Sequence, residues 1–334
     1  MKIKLILSVV LLCLCFRPTE ILAEIKPTKE LVLQVSRTYG YYLGQQYTLD
    51  YISDKYPSLS INVLLAQKEF SYSFSNSLEN MNKFMIDLFG FKWKNIRKNM
   101  QDAMYKTLKV EISSMDKSKA IRFVDEVKNR AKGDIESPVF ETLLLFKKGY
   151  ESKPEQEFID GYRYTYKNDG SGKAKGVKFS LQLPRTWEAM EGNRPNVVKK
   201  FVNYQGSTLM VIIKDIPLEE NEKVDKYVID EMLKKNNIGT ILPSQSVYEK
   251  SGKITLEGLP GLWVQYSVEL NRMRTTMKIE SIMYIIVYKN KMIQIHGTNV
   301  VSVNGKNIEN GGILKYEKLF DMVVNTLVLP EIYN

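Results

Sequence analysis

Cysteine and histidine are nearly absent from this chain of 334 residues, which contains two cysteines and one histidine. Both cysteines, Cys13 and Cys15, lie in an N-terminal segment that we predict to be removed. The remaining chain would then form no disulfide bond and no thiolate metal site, and it would offer no cysteine nucleophile. We therefore expect the protein to be stabilised by its hydrophobic core alone.

The first 23 residues have the pattern of an export signal. Lys2 and Lys4 give the positive start, Leu5–Phe16 the apolar centre, and Ile21-Leu22-Ala23 a cleavage site that ends in a small residue. The apolar centre is shorter than the roughly 20 residues of a membrane-spanning helix, although an uncleaved N-terminal anchor is the alternative. Since no later segment is apolar enough to span a bilayer, we expect a soluble exported protein that is periplasmic or secreted.

The chain carries a formal net charge of +10, and much of this excess lies in residues 161–200. A basic patch attracts phosphates or anionic lipid headgroups, so an anionic membrane surface is one candidate partner. A solvated linker rich in lysine is the alternative. Nucleic-acid binding is not expected, because the protein is exported and has no stacking motif. The basic residues of this segment are Arg163, Lys167, Lys173, Lys175, Lys178, Arg185, Arg194, Lys199 and Lys200.

Residues 24–160 have a helical pattern. Their apolar residues recur at spacings of three and four, as on the buried faces of amphipathic helices. Pro57, Gly90 and Gly133 mark the ends of helices, and Ser60 and Asp116 are candidate N-caps. The pattern predicts an all-α domain.

Gly40 and Gly44 share one face of the first predicted helix, where another backbone could approach closely. The segment Tyr39-Gly40-Tyr41-Tyr42-Leu43-Gly44 resembles the helical N-terminal dimerisation segment of exported FKBP-type prolyl isomerases. The catalytic domain of those enzymes is not recognisable here. The resemblance implies a homodimer formed through the N-terminal helices, and internal helix packing is the alternative.

The period of the apolar residues changes to two after residues 161–176, which we predict to be a linker of turn formers and lysines. The stretch GVKFSLQLPRTW, residues 176–187, alternates in the manner of a half-buried strand. Pro184 should end this strand because it has no N–H to donate, and Trp187 is placed to fold back over its end. Later strands joined by short turns, with helices at 224–239 and 313–327, predict an antiparallel sheet covered by helices.

Residues 177–334 resemble the PsbP-like fold. The features that carry the resemblance are the opening strand ending in Leu183-Pro184-x-x-Trp187, the mid-domain helix, the long hairpin and the terminal helix. The predicted fold class is thus α+β, an all-α domain followed by a PsbP-like domain. The fold is shared by a photosystem assembly protein, a Ran-binding nuclear import factor and many exported bacterial proteins. The resemblance therefore implies binding or assembly without catalysis, and it assigns no functional residue.

His296, the single histidine, lacks the partners that catalysis or zinc binding would require. A zinc site would need carboxylates for all its other ligands, and no serine lies in the Gly-x-Ser-x-Gly motif that would pair with a histidine base. Gly170–Gly176 has neither the spacing nor the following helix of a phosphate loop, and it lacks the acidic ligands of a calcium loop.

Charged pairs elsewhere have the pattern of solvated surfaces. Asp125-Glu126 and Glu219-Glu220 lie on predicted helix or loop surfaces. Arg272 and Arg274 flank Met273 at a strand junction, where they could contact an anion or form a solvated turn. We assign no catalytic, cofactor-binding or metal-binding residue and expect no cofactor.

Two functional hypotheses follow. The leading one is an exported, non-catalytic binding or assembly protein of the cell envelope, which acts through contacts with a protein that the sequence does not identify. The alternative is an envelope hydrolase with a carboxylate-based site that the sequence does not reveal. A deep cleft that holds two or more convergent carboxylates, or His296 beside a hydroxyl, would contradict the binding-only hypothesis.

Overall fold

The structure, a computed structural model, describes residues 25, 27–217, 224–272, 275–308 and 312–333. The predicted export signal lies outside the described residues, as do Glu219, Glu220 and Arg274; of Arg272 only the backbone is described. Within these ranges, no helix combines the length and the apolar character needed to cross a membrane.

The N-terminal part is helical, as predicted, and its hydrophobic residues form one core cluster. Asp116 caps α5 as predicted, because its carboxylate accepts a hydrogen bond from Lys119 N at 2.8 Å. The prediction for Ser60 is wrong: a 3₁₀ turn at Pro57–Leu59 runs directly into α2, so Ser60 is its first residue and not its cap. The helices are α1 Lys29–Lys55, α2 Ser60–Ser73, α3 Ser77–Phe89, α4 Lys92–Ser113, α5 Lys117–Ala131, α6 Val139–Leu145 and α7 Glu155–Ile159.

The C-terminal part is an antiparallel sheet with helices on it, so the α+β prediction is confirmed. Its strands are β1 Arg163–Asn168, β2 Phe179–Pro184, β3 Glu188–Glu191, β4 Val197–Val202, β5 Thr208–Asp215, β6 Ser246–Leu256, β7 Leu259–Arg272, β8 Thr275–Tyr288, β9 Lys291–Val303 and β10 Lys306–Asn307. The large sheet has the order β3-β4-β5-β9-β8-β7-β6, with β10 paired to β9, and β1 pairs with β2 separately. The helices are α8 Lys226–Met232, α9 Lys235–Ile241 and α10 Ile313–Val324.

Two elements differ from the sequence prediction. Residues 161–176, predicted as a linker, contain β1, which pairs with β2 from Arg163–Pro184 to Asn168–Phe179. The mid-domain helix is two short helices, because Lys234 between α8 and α9 has extended backbone, with φ −63° and ψ 139°. The long hairpin turns at Lys289 and Asn290 as predicted, and both residues have positive φ.

The two faces of the large sheet are covered differently. One face packs against β2 and α10 in the main core, which includes Phe179, Leu181 and Leu183. Trp187 folds back as predicted, and its ring meets Phe320 of α10 edge to face at 6.1 Å between ring centroids. On the other face, α8 and α9 cover part of β7 and β8 through a smaller cluster.

Candidate binding surfaces

His296 lies on β9, on the same sheet face as α8 and α9. Its Nε2 atom is 2.8 Å from the Tyr266 hydroxyl, and the two rings stack at 5.8 Å. Burial lowers the pKa of His296 to about 4, and the charge of Lys214 lowers it further. Burial also raises the pKa of Tyr266 to about 12. The imidazole and the phenol are therefore both neutral at physiological pH.

The Tyr266 hydroxyl beside His296 meets the condition that we set against a binding-only protein, although burial moves the pKa of each group away from the range of a general base or acid. A general base works best when its pKa is near the operating pH. An imidazole that is protonated only in acid is a weak base, and a phenol with a pKa of about 12 is a poor proton donor. The pair is best described as a satisfied hydrogen bond on a partly covered sheet face.

The carboxylate pair that the sequence offers in the helical part lies on a helix surface. Asp125 and Glu126 pair with Lys128 at 3.9 Å and with Arg130 at 3.5 Å on the surface of α5. Nowhere in the described ranges do three or more histidine, cysteine, aspartate or glutamate side chains form a group that could hold a metal ion.

Glu157 is buried at the junction of the two parts. It accepts hydrogen bonds from Thr186 N at 2.8 Å and from Thr186 Oγ1 at 2.7 Å. Burial, together with the charge of Glu141 nearby, raises its pKa to about 7, although the bonds from Thr186 act in the opposite direction. The cavity beside it, about 20 Å³, is large enough for a single water molecule. Glu157 therefore joins α7 to the chain after β2.

The basic segment 161–200 is partly neutralised by its own fold. Lys175, Lys178, Arg185 and Lys199 each form an ion pair with a carboxylate. Within the segment, Gly170–Gly176 forms a closed turn in which Gly176 N donates to Gly170 O at 2.8 Å. This turn leads into β2, so the rejection of a phosphate loop agrees with the structure.

Gly44 and Gly40 have different surroundings. A Cβ at Gly44 would lie 3.4 Å from Met104 Sδ and from Leu108 Cδ1, so this glycine allows α4 to pack closely on α1. A Cβ at Gly40 would have no neighbour within 4 Å. Internal packing thus explains Gly44, and the homodimer stays a prediction.

An open groove of about 330 Å³ lies beside α9, and we call it the α9 groove. Its lining is mostly apolar, with three polar residues at one side. Such a composition is typical of binding clefts, and the volume is at the lower end of their range. The lining residues are Ile238, Gly239, Leu242, Pro243, Ser244, Gln245, Ser246 and Tyr248.

The local sequence explains how the groove forms. Pro243 restricts the residue before it to extended backbone, and Leu242 has φ −81° and ψ 149°, which ends α9. Gln245 then adopts a positive φ of 66°, and Ser246 N donates to Pro243 O at 3.2 Å. This turn sends the chain back as β6, so Tyr248 faces α9 across the groove.

Two properties of the groove bear on what it could bind. Ser246 Oγ has no hydrogen-bond partner among the described residues, but it is buried, so a group that sits in the groove does not reach it. β6 is also the edge of the sheet, since it pairs with β7 alone in the described structure. Edge strands have free backbone groups that can pair with an added strand.

Sequence reasoning did not identify the groove, because its residues come from a helix, a turn and an edge strand that meet only in the fold. Ile238 packs α9 on the sheet and is 3% exposed. Leu242, at the end of α9, is only partly buried against the same cluster. The available signal was Leu242-Pro243-Ser244, a helix end with turn formers directly before an alternating segment.

The chain was compared with families, with curated proteins and with solved structures. No family model and no curated protein matches it. A cyanobacterial PsbP from Synechocystis is 15% identical, with a TM-score of 0.30 over 50% of this chain and 92% of that one. LpqN of Mycobacterium tuberculosis, described as involved in cell envelope biogenesis, is 10% identical, with a TM-score of 0.32 over 53% and 96%. A Pseudomonas aeruginosa protein of unknown function, described as a putative regulator, is 12% identical, with a TM-score of 0.25 over 50% and 97%.

These neighbours include a PsbP, the family that the sequence resembles. The structure has the elements on which that resemblance depends: the opening strand β2, the mid-domain helices, the β8–β9 hairpin and the terminal helix α10. At these identities and TM-scores we take nothing about function from the neighbours. The function proposed below rests on the residues of this chain.

Proposed function

We propose that this chain is an exported, non-catalytic binding or assembly protein of the cell envelope, which acts through protein–protein contacts at the α9 groove. Export, to the periplasm or outside the cell, is supported by the signal pattern of residues 1–23. The location of both cysteines within that pattern fits a secreted chain that folds without disulfides.

The α9 groove is the observation that carries the proposal. Its lining offers apolar contact from Leu242 and Tyr248. A groove of about 330 Å³ that is open to solvent suits one or two apolar side chains of a larger partner better than a whole cofactor.

The position of β6 defines the partner more closely. An extended peptide that pairs with the edge of β6 would place alternate side chains over the α9 groove. We therefore expect a protein partner with an exposed, extended and partly apolar segment.

Site-specific photo-crosslinking in the native cell tests the proposal. A photoreactive phenylalanine analogue replaces Tyr248 in the groove and, as a matched control, Tyr333, which is 69% exposed near the C-terminus. We expect one defined protein to be captured from position 248 and not from position 333.

Two further variants show whether the capture depends on the groove. Leu242→Asp places a charge in the groove and should abolish the adduct from position 248. Leu314→Asp, at a residue that is 71% exposed on α10, should leave it unchanged. Equal capture from both positions, or an adduct that survives Leu242→Asp, would contradict the proposal.

A further inference from the structure

The turn between α3 and α4 is apolar, although it is exposed to solvent. Its sequence is Leu88-Phe89-Gly90-Phe91, whereas exposed turns are usually built from glycine, proline and polar residues. Five of the seven residues 86–92 are exposed, among them Phe91 at 87% and Ile86 at 46%. The turn therefore presents apolar side chains to the solvent, and we call residues 86–98 the α3–α4 tip.

The residues on either side of Phe91 fix its outward position. Trp93 is only 2% exposed, and its Nε1 atom donates to Asn82 Oδ1 at 2.9 Å. Its ring stacks on that of Phe89, with 6.5 Å between the ring centroids. Gly90 ends α3 with a positive φ of 57°. Because both neighbouring aromatic rings pack together, the turn directs Phe91 away from them.

Unpaired cations surround the apolar turn. Residues 86–98 contain four basic residues and one acidic residue. Phe91 has helical backbone, with φ −60° and ψ −21°, so Phe91, Lys94 and Lys98 share one helix face at the spacing i, i+3 and i+7. Lys92, Lys94 and Lys98 are exposed and form no ion pair within the described residues. The tip thus combines an exposed aromatic ring with free positive charge on one surface.

We propose that the α3–α4 tip binds the surface of an anionic lipid bilayer. Phe91 would enter the boundary between headgroups and acyl chains, and the lysines would lie at the level of the lipid phosphates. The sequence suggested a membrane contact in residues 161–200, but there four of the cations are already paired with carboxylates. The proposal does not depend on the α9 groove, so either can fail without the other.

The size of the tip favours a bilayer over a folded protein as the partner. A specific protein interface takes about 20–30 residues of each partner, whereas the exposed apolar side chains of the tip are those of Ile86 and Phe91. A bilayer needs no matching shape, because lipids rearrange around an inserted side chain. One inserted ring with a few cations should give weak and reversible binding.

Co-sedimentation of the exported chain with lipid vesicles tests the proposal. The chain should lack residues 1–23, because the apolar centre of the predicted signal would itself bind lipid. Vesicles of phosphatidylcholine mixed with phosphatidylglycerol should bind the chain at least about tenfold more tightly than vesicles of phosphatidylcholine alone. High salt should release the chain, since it screens the attraction between the lysines and the lipid phosphates.

Phe91→Ser should weaken binding to the anionic vesicles by about tenfold or more, because the aromatic ring no longer leaves water. Tyr72→Ser is the matched control, since Tyr72 on α2 is 86% exposed but lies outside the tip. It should bind like the wild type. Thermal melts show whether each variant is folded.

A second pair of variants tests the charges. Lys94→Gln combined with Lys98→Gln should weaken binding by about tenfold, at about 1 kcal/mol for each cation near the lipid surface. Lys106→Gln combined with Lys109→Gln removes the same charge from exposed positions farther along α4 and should leave binding within about twofold.

The proposal is wrong if the wild-type chain does not bind anionic vesicles, or binds neutral vesicles equally well. It is also wrong if Phe91→Ser binds like the wild type, or if either control is weakened as much as its partner variant. An affinity that falls in both tip variants and in neither control is the result that supports it.

Discussion

Glu157 makes the stability of this protein depend on pH. Its pKa in the folded chain is about 7, whereas a carboxyl of this type ordinarily has a pKa of 4.5. The folded state therefore binds this proton more tightly than the unfolded state does. The contribution of Glu157 to stability is fully present below pH 4.5 and is lost as the pH rises through about 7. The contact between α7 and the chain after β2 should accordingly be weaker in alkaline solution.

Replacing Glu157 with glutamine should remove this pH dependence. The variant keeps an oxygen that can accept a hydrogen bond from Thr186 but cannot ionise, so at pH 8 it should be more stable than the wild type by about 1–3 kcal/mol. Urea unfolding at pH 5 and pH 8 measures the effect. Glu151→Gln, at an exposed residue in the same region, is the control and should change little. If Glu157→Gln and the wild type lost the same stability between pH 5 and pH 8, this description of Glu157 would be wrong.

At the scale of elements, the packing of α10 on the sheet depends on the absence of a side chain at Gly297 of β9. A Cβ at this position would lie 2.6 Å from Phe320 Cδ2, which is too close for two carbon atoms. The ring of Phe320 is fully buried and also meets Trp187. It therefore has little freedom to move away.

Gly297→Ala should destabilise the fold by about 1–3 kcal/mol, because the added methyl group overpacks the core between β9 and α10. Gly40→Ala is the matched control, since a Cβ at Gly40 in α1 would meet no atom within 4 Å. That change should instead stabilise the chain by about 0.5–1 kcal/mol, because alanine favours a helix more than glycine does. Chemical unfolding of both variants measures the change in the free energy of unfolding, which should have opposite signs in the two. Equal effects of the two substitutions would show that Phe320 yields to the methyl group.

The elements that sequence patterns predicted are those whose periodicity is strong and whose turns are tight. The β8–β9 hairpin is one, because its apolar residues are followed directly by a turn at Lys289 and Asn290. β1 was missed because its alternation is short: only Tyr164 and Tyr166 are half-buried apolar residues, and a run of turn formers follows them directly. The division of the mid-domain helix depends on tertiary contacts of α8 and α9 that local propensity does not report.

On the scale of the whole molecule, the helical part and the sheet are joined by specific polar contacts. Glu157 accepts two hydrogen bonds from Thr186, and Arg185 Nε donates to Glu141 Oε1 at 2.9 Å. Each contact joins a short helix, α7 or α6, to the segment that follows Pro184. The stretch 176–187 thus connects the two parts as well as opening the sheet domain.

The candidate site could not be predicted at this scale, for a physical reason. The α9 groove depends on the distance between a helix and an edge strand. The missing hydrogen bond of Ser246 depends on which residues the fold brings near its hydroxyl. No periodicity in the sequence encodes either property.

Hydrogen exchange of the chain with its captured partner tests most directly whether the α9 groove is the binding surface. Binding at the edge of β6 should slow exchange of the backbone amides of residues 238–248, because they become covered or paired. Residues 60–73 of α2 should exchange at the same rate with and without the partner, at a fixed concentration of the chain. Slower exchange in 238–248 alone is the predicted result. Protection elsewhere, with no change in 238–248, would contradict the proposed function.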